Sequence, residues 1–415
     1  MKTVHFCTTD SGGAFKAASR INEAMKRCGA DSGLYVRTKF HQSSACSEVI
    51  DTSLKSFVSK SKNALNLMLS KGEVITDAFG TDISRLDCVK EADAVFLHWV
   101  NSFVSYGTVK KLAALKKPVF WVIHDMWLYT GGCHYDYGCG GYLSGCGNCP
   151  QIKSTKTEDI SYKNFRKKRL MLKESGIVIV SPSIWDLECA KKSFVCEGLE
   201  GRVINNPIDT ALFRPSSEGK KLRGKLGIGP DDKVILFGAM GDSVHKWEGM
   251  NMIKEAILRL PDELRQKTVL LIFGNGPEID ISSFPVKTRA LGFISDEKIL
   301  ASLYDAADAF VSPSLADNYP NTLLEAVCCG TPCVCFDTGG MGEIVIREKT
   351  GYTARPGDTE DMSRGIELVL KSDLKKKLSD PAFNDFIKNN NYDNIGRKYI
   401  ELCNERLKSR IAGVF

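Results

Sequence analysis

The sequence has no apolar run approaching the ~18 residues that a membrane-spanning helix needs, so no segment is expected to cross a bilayer. Its start, Met1-Lys-Thr-Val-His-Phe-Cys-Thr-Thr-Asp10, breaks into polar residues too soon for an export signal, which points to the cytoplasm. Internal repeats and low-complexity tracts are missing, which argues against solenoids and disordered arrays. Only 14 prolines and 36 glycines punctuate 415 residues, and 26% of the chain is charged. That profile fits a soluble globular protein long enough for two domains.

Cysteine and basic residues are plentiful. Most of the 15 cysteines, among them Cys7, Cys28, Cys88, Cys189, Cys328, Cys333 and Cys335, stand singly in apolar context and read as reduced core residues. The net charge of +6 is uneven: residues 1–205 hold 28 Lys and Arg against 20 Asp and Glu. A basic first half suits an anionic partner, a membrane surface or a phosphorylated acceptor, although a solvated face with no partner reads the same way. The basic residues cluster at Lys55–Lys71 and Lys163–Lys173, where apolar and basic residues mix as they do in a helix lying on anionic lipid.

Short β-rich runs alternate with helical periods throughout. Thr3–Cys7, Leu34–Val36, Ala94–Leu97, Pro118–Ile123 and Ile177–Val180 read as strands. Ala14, Ala17, Ala18, Ile21, Ala24, Met25 and Cys28 form one helix face. The pattern restarts after Asn205-Asn-Pro207, with strands at Val234–Phe237, Val269–Phe273, Ala309–Ser312 and Pro332–Phe336. This predicts an α/β fold of two doubly wound, Rossmann-like domains, 1–205 and 206–390, hinged in the Asn-Asn-Pro region. Ligands bind at the carboxyl ends of such parallel sheets.

The sharpest signal is Pro313-Ser-Leu-Ala-Asp317-Asn-Tyr-Pro320-Asn321-Thr322-Leu323-Leu-Glu325-Ala. A strand ends at Ser312, a polar loop follows, and a helix starts near Asn321. The N–H groups and positive end of that helix make an anion site. Asp317 and Glu325 flank it and suit hydroxyl groups better than phosphate, one at a sugar and the other at a ribose. The plainer reading is an N-cap Asp and a surface Glu.

This stretch resembles the donor motif of retaining glycosyltransferase family 4, two Glu separated by seven residues, with Asp317 in the first place. The resemblance implies a GT-B fold, an N-terminal acceptor domain and a C-terminal nucleotide-sugar domain. It also implies a final helix, residues 391–415, that crosses back to the first domain. It assigns Asp317 to the donor sugar, Asn321, Thr322 and Leu323 to the diphosphate, and Glu325 to the ribose. Asp10-Ser-Gly12-Gly13 resembles the family's loop over the donor phosphates, and Gly292-Phe293 the place where the base is held. Ser181-Pro-Ser183, Asn206-Pro-Ile-Asp209 and Phe273-Gly274-Asn-Gly276-Pro277 are further landmarks. The Gly274 turn lacks the third glycine and the acid of a dinucleotide fingerprint, which argues against NAD. The subset it resembles most makes bacterial surface polysaccharides: O-antigen, capsule and colanic-acid-like exopolysaccharide.

His124 follows a strand directly and can bond a substrate hydroxyl or act as an acid or base. His124-Asp125-Met-Trp127 resembles the family's His-Asp motif. His98-Trp99 sits at an analogous strand end and, with Asp125, is expected on the acceptor side. A cation is needed at the departing diphosphate. The family places an Arg and a Lys here. The Arg is missing, and with Gly249 aligned to the family's glycine Glu248 stands in the Lys place, so the expected cation is Lys246, two residues early in Lys246-Trp-Glu248-Gly249. With no Asp-x-Asp triplet, no catalytic metal is expected.

The expected partners are a UDP or GDP sugar, a saccharide acceptor of polyprenyl-diphosphate-linked type and the inner-membrane surface, reached from the cytoplasm, but no nucleic acid. The alternatives are a nucleotide-sugar epimerase on the same fold and an inactive nucleotide-sugar-binding subunit.

Residues 131–151 form a Cys-rich insertion. Cys133, Cys139, Cys146 and Cys149 fall among glycines, in a stretch with little apolar reason to fold. A structural zinc on four thiolates supplies one, with His134 as a substitute ligand. Reduced thiols, disulfides or an iron–sulfur cluster are the other readings.

Overall fold

The structure, a computed structural model, describes residues 1–42, 45–49, 80–173, 175–238, 245–274, 280–380 and 384–411. The basic stretch 55–71 lies outside the described residues. The chain divides into two compact units, 1–207 with 392–415, and 208–391.

The first unit is built on β1 (Lys2–Thr9), β2 (Asp31–Thr38), β3 (Ser47–Glu48), β4 (Ala94–Leu97), β5 (Val119–Val122), β6 (Val178–Ser181) and β7 (Gly201–Val203). They form one parallel sheet in the order β3-β2-β1-β4-β5-β6-β7. β4 and β5 are buried along their whole length, as apolar runs covered by helices on both faces must be. Strand order reverses between β1 and β4, and a crevice opens at such a switch point.

The helix Gly12–Arg27 follows β1 and buries Ala17, Ala18, Ile21, Ala24 and Met25, the face its spacing predicts. The last helix, Tyr392–Ile411, packs on it. Contact is close because Gly396 has no side chain: a Cβ there would lie 2.3 Å from the Ala24 carbonyl oxygen. Tyr399 of this helix meets Phe96 edge-on at 5.8 Å, and Phe96 stacks on Phe120 at 4.8 Å. Each such fully buried ring contributes about 1.5–3 kcal/mol of apolar burial.

The second unit holds β8 (Lys233–Gly238), β9 (Thr268–Phe273), β10 (Lys287–Ala290), β11 (Ala309–Ser312), β12 (Cys333–Phe336) and β13 (Gly351–Ala354). Its sheet is also wholly parallel, in the order β10-β9-β8-β11-β12-β13, and reverses between β8 and β11. Helices Glu297–Ala306 and Thr359–Lys371 start on Asp296 and Asp358, whose carboxylates accept from the Lys298 and Asp361 N–H groups at 2.8 Å.

Candidate active site

In the second unit, residues 313–320 leave the carboxyl end of β11, beside the switch point, and lead into the helix Asn321–Cys328. Pro320 is its N-cap and supplies no side-chain acceptor. The first turn that follows holds Asn321, Thr322 and Leu323, at the positive end of the helix. Asp317 is half-buried in the loop. Burial pushes its carboxyl up to about 7, although the Asn318 N–H pulls the other way.

Two neighbours fix this loop. Gly340 N–H donates to the Asp317 carbonyl at 3.1 Å, and Thr338 Oγ1 donates to the Ser314 carbonyl at 3.3 Å. Gly339, at φ +60°, passes so close that a Cβ would fall 1.8 Å from the Asp317 carbonyl oxygen. Nothing in the motif marked this loop after β12 as part of the site, since Thr338-Gly339-Gly340 reads as an ordinary turn.

Glu325 departs from the expectation. It is 0% exposed, and its Oε2 accepts from the Tyr304 hydroxyl at 3.1 Å. As placed, the carboxylate offers no surface to a ribose and ties its helix to the helix Glu297–Ala306. It is not the surface Glu of the plainer reading either.

Gly274 follows β9, and its N–H donates to the Gly292 carbonyl at 2.8 Å. The next residue, Phe293, three residues past the end of β10, is 55% exposed. Lys246 falls in the first turn of the helix His245–Leu258, and its side chain lies outside the described residues. Gly249, at the start of the next turn, lies against Pro313, with only 3.3 Å between a Cβ and the proline ring. The helix start and the Asp317 loop are therefore neighbours.

In the first unit, Gly12 and Gly13 are exposed at the start of the first helix, Gly12 at φ +83°. Asp10 before them is buried, and its two carboxylate oxygens accept from the Phe40 and His41 N–H groups at 2.7 and 2.8 Å. His124 lies half-buried just past β5. His98, expected on the acceptor side, is instead only 2% exposed, wedged between His5 and His124.

Asp125 is the hub of a second group. Its Oδ2 accepts from Trp99 Nε1 at 3.2 Å and from His134 Nδ1 at 2.7 Å, and its Oδ1 from the Trp127 N–H at 2.8 Å. Burial pushes the Asp125 carboxyl up, but His134 and the Trp127 N–H outweigh this and hold it below the ordinary range. Trp99 stacks on His134 at 5.7 Å. His134 is thus a partner of Asp125. Its place nine residues after Asp125 was the one available sign.

The zinc expectation is corrected. Cys133 and Cys149 are buried, Cys146 is half-buried and Cys139 exposed. Among the described residues no group of three His, Cys, Asp or Glu is placed to hold a metal ion. The insertion is ordered by other means. Asp159 accepts from the Cys149 N–H at 2.9 Å and the Ser161 N–H at 2.9 Å. Ser161 Oγ accepts from the Gly147 N–H at 3.0 Å, and Asn164 Nδ2 donates to the Gly131 carbonyl at 2.8 Å. Fully buried Lys168 donates to the Trp127 and Thr130 carbonyls, and Tyr142 packs edge-on against Tyr129 at 5.5 Å. The helix Ile160–Leu172, its Asp159 cap and a few aromatic contacts do the work expected of a metal.

Residues 219–390 match the model of glycosyl transferases group 1. That stretch holds the Asp317 loop, the helix behind it, Gly274 and Phe293. Over 73% of its length the chain is 26% identical to an uncharacterized glycosyltransferase of Methanocaldococcus jannaschii, covering 77% of that protein. Over 66% it is 26% identical to WcaC of Escherichia coli, a protein named for colanic acid biosynthesis, and spans 64% of it.

Two solved structures share the fold over nearly the whole chain. Sucrose-phosphate synthase of Thermosynechococcus elongatus has a TM-score of 0.65 at 15% identity, over 99% of this chain and 100% of that one. HepE of Anabaena, crystallised with UDP, has a TM-score of 0.63 at 16% identity, over 98% and 100%. The fold is that of the GT-B glycosyltransferases, and the sequence matches support a group 1 glycosyltransferase.

Proposed function

We propose that the protein is a retaining family 4 hexosyltransferase that moves a sugar from a nucleoside diphosphate to a saccharide acceptor. The observation that carries this is the Asp317 loop leading into the start of Asn321–Cys328, whose N-cap Pro320 supplies no side-chain acceptor, beside the switch point of a sheet within the group 1 match. In this reading the N–H groups of Asn321, Thr322 and Leu323 receive the diphosphate. Lys246 adds the cation, and the carboxyl of Asp317 meets the donor sugar as positive charge develops at its anomeric carbon. Gly274 and Phe293 line the base. UDP, the ligand of the HepE crystals, is the first nucleotide to try. Gly12 and Gly13 also serve the donor, and His124 with Trp99 serves the acceptor. Glu325 acts on the donor only through the helix it anchors.

We further propose a lipid-linked acceptor at an anionic membrane, in bacterial surface polysaccharide synthesis. WcaC supports the pathway class by its name. The helix Ile160–Leu172 supports the membrane. It carries no acid, and exposes Lys163, Arg166 and Lys167 near Leu170, itself 61% exposed, while Arg169 is paired with Glu197 at 2.8 Å. Each such cation is worth about 1 kcal/mol near an anionic surface.

The test is incubation with UDP and GDP sugars. Nucleotide released only with acceptor, with the donor's anomeric configuration kept in the product, is the expected result. Epimerised donor without acceptor points to the epimerase, and binding without turnover to an inactive subunit. Flotation with vesicles containing anionic lipid, lost in Arg166→Glu/Arg169→Glu, tests the membrane arm.

A further inference from the structure

His5 and His98 are buried imidazoles; the sequence puts His98 on the acceptor side, but the proposed donor and acceptor assignments use neither. His5 sits on β1, paired in register with Phe96 and stacked on its ring at 4.5 Å with the planes 6° apart. His5 Nδ1 lies 3.0 Å from His98 Nε2, and His98 Nδ1 lies 3.0 Å from His124 Nε2. The three side chains form a file from inside the sheet to its carboxyl end. Burial holds them neutral at physiological pH: it lowers His5 to about 3, His124 to about 4 against the pull of Asp125, and His98 well below its ordinary value, with His5 and His124 adding to the last.

A neutral imidazole carries one ring proton, donating through one nitrogen and accepting through the other. His98 is bonded through both, so it donates once and accepts once, and both links must run in the same direction. Run outward, His5 Nδ1–H donates to His98, His98 Nδ1–H donates to His124 Nε2, and His124 keeps its proton on Nδ1. Run inward, every proton moves to Nε2. His5 Nε2 decides between them: it is buried with no hydrogen-bond partner. The inward direction strands an N–H there, the outward direction only a lone pair. Protein interiors strand N–H groups less readily than acceptors.

We propose that His98 is a positioning residue, with His5 behind it, that fixes His124 as the Nδ1–H tautomer. His124 then meets the sugar oxygens of the acceptor as a hydrogen-bond donor and does not act as a base. This rests on the reading of His124 as part of the transfer site.

The test is nitrogen-15 NMR of the full-length protein with labelled histidine. Wild-type His124 should show a protonated Nδ1 and a bare Nε2 at neutral pH. The reverse pattern overturns the proposal and requires no variant to fold. His98→Phe keeps a ring between His5 and His124 but removes the donor. His124 should then show mixed tautomers, and kcat should fall about tenfold, the scale of one hydrogen bond, with donor KM unchanged. His98→Asn still offers a donor near the Nδ1 position and should recover most of that loss. Unchanged tautomer and kcat in His98→Phe overturn the positioning role. The expected tautomer in a protein that transfers no sugar supports the assignment and sinks the transferase reading instead.

Discussion

Half-buried in its loop, the Asp317 carboxyl titrates near 7, where it is ordinarily ionised. Its proton is held more tightly folded than unfolded. It therefore contributes stability that is complete below its ordinary value of 3.8 and is lost as pH rises toward 7. Asp317→Asn, which cannot ionise, should flatten the fall in melting temperature between about pH 4 and 7. Kinetically, wild-type kcat/KM should rise through pH 7 as the carboxylate forms, and that limb should vanish in Asp317→Asn along with most turnover. His124→Ala is expected to lower kcat about 10²-fold or more and to leave donor affinity nearly intact, as isothermal titration with the nucleotide can check. Asp317 and His124 stood out in the sequence because each follows a strand in a recognisable run. His5 did not, because a histidine inside a strand looks like any other, and its meaning depends on two residues about a hundred positions away.

Among the elements, legibility followed place in the sheet. β1, β4, β5, β8, β9, β11 and β12, covered on both faces, read directly as apolar runs. The four strands that went unread, β3, β7, β10 and β13, are the two edges of each sheet. β3 is exposed throughout, β7 is Gly-Arg-Val and β10 is Lys-Thr-Arg-Ala, so an edge strand leaves little apolar pattern to find. The loop after β12 was missed for a related reason: apart from the Thr338 hydroxyl, its contribution is backbone against backbone. Gly339→Ala should drive a Cβ into the Asp317 carbonyl at a φ that L-residues avoid. Folding should survive while donor binding falls by at least tenfold, read by titration against Gly224→Ala, a control with open space around its Cβ and no part in the site. The Cys-rich insertion was misread because its polar anchors lie downstream, on Asp159, Ser161 and Asn164. Asp159→Ala should cost about 1–2 kcal/mol, measured as a shift in the urea midpoint.

For the whole molecule, the alternation of strand and helix sufficed to foresee two parallel sheets, and the apolar spacing of Ile395, Tyr399 and Leu402 fits the return of the last helix to the first unit. Gly396→Ala tests that packing. The new methyl meets the Ala24 carbonyl, a backbone atom that cannot step aside, and should cost about 1–3 kcal/mol. Calorimetry should show the transition of the first unit lowered and that of the second unchanged. The same helix imposes an order on synthesis. Ile395, Tyr399, Leu402 and Cys403 complete a core whose other members, from Ile21 to Ile204, are made before the second unit begins. A ribosome working at about 5–20 residues per second needs roughly 10–40 s to traverse residues 208–391. For that interval the nascent first sheet lacks one side of its core, with Phe96 and Phe120 uncovered. The second unit, contiguous in the chain, can close as soon as it emerges, so the half of the protein made first is the half finished last.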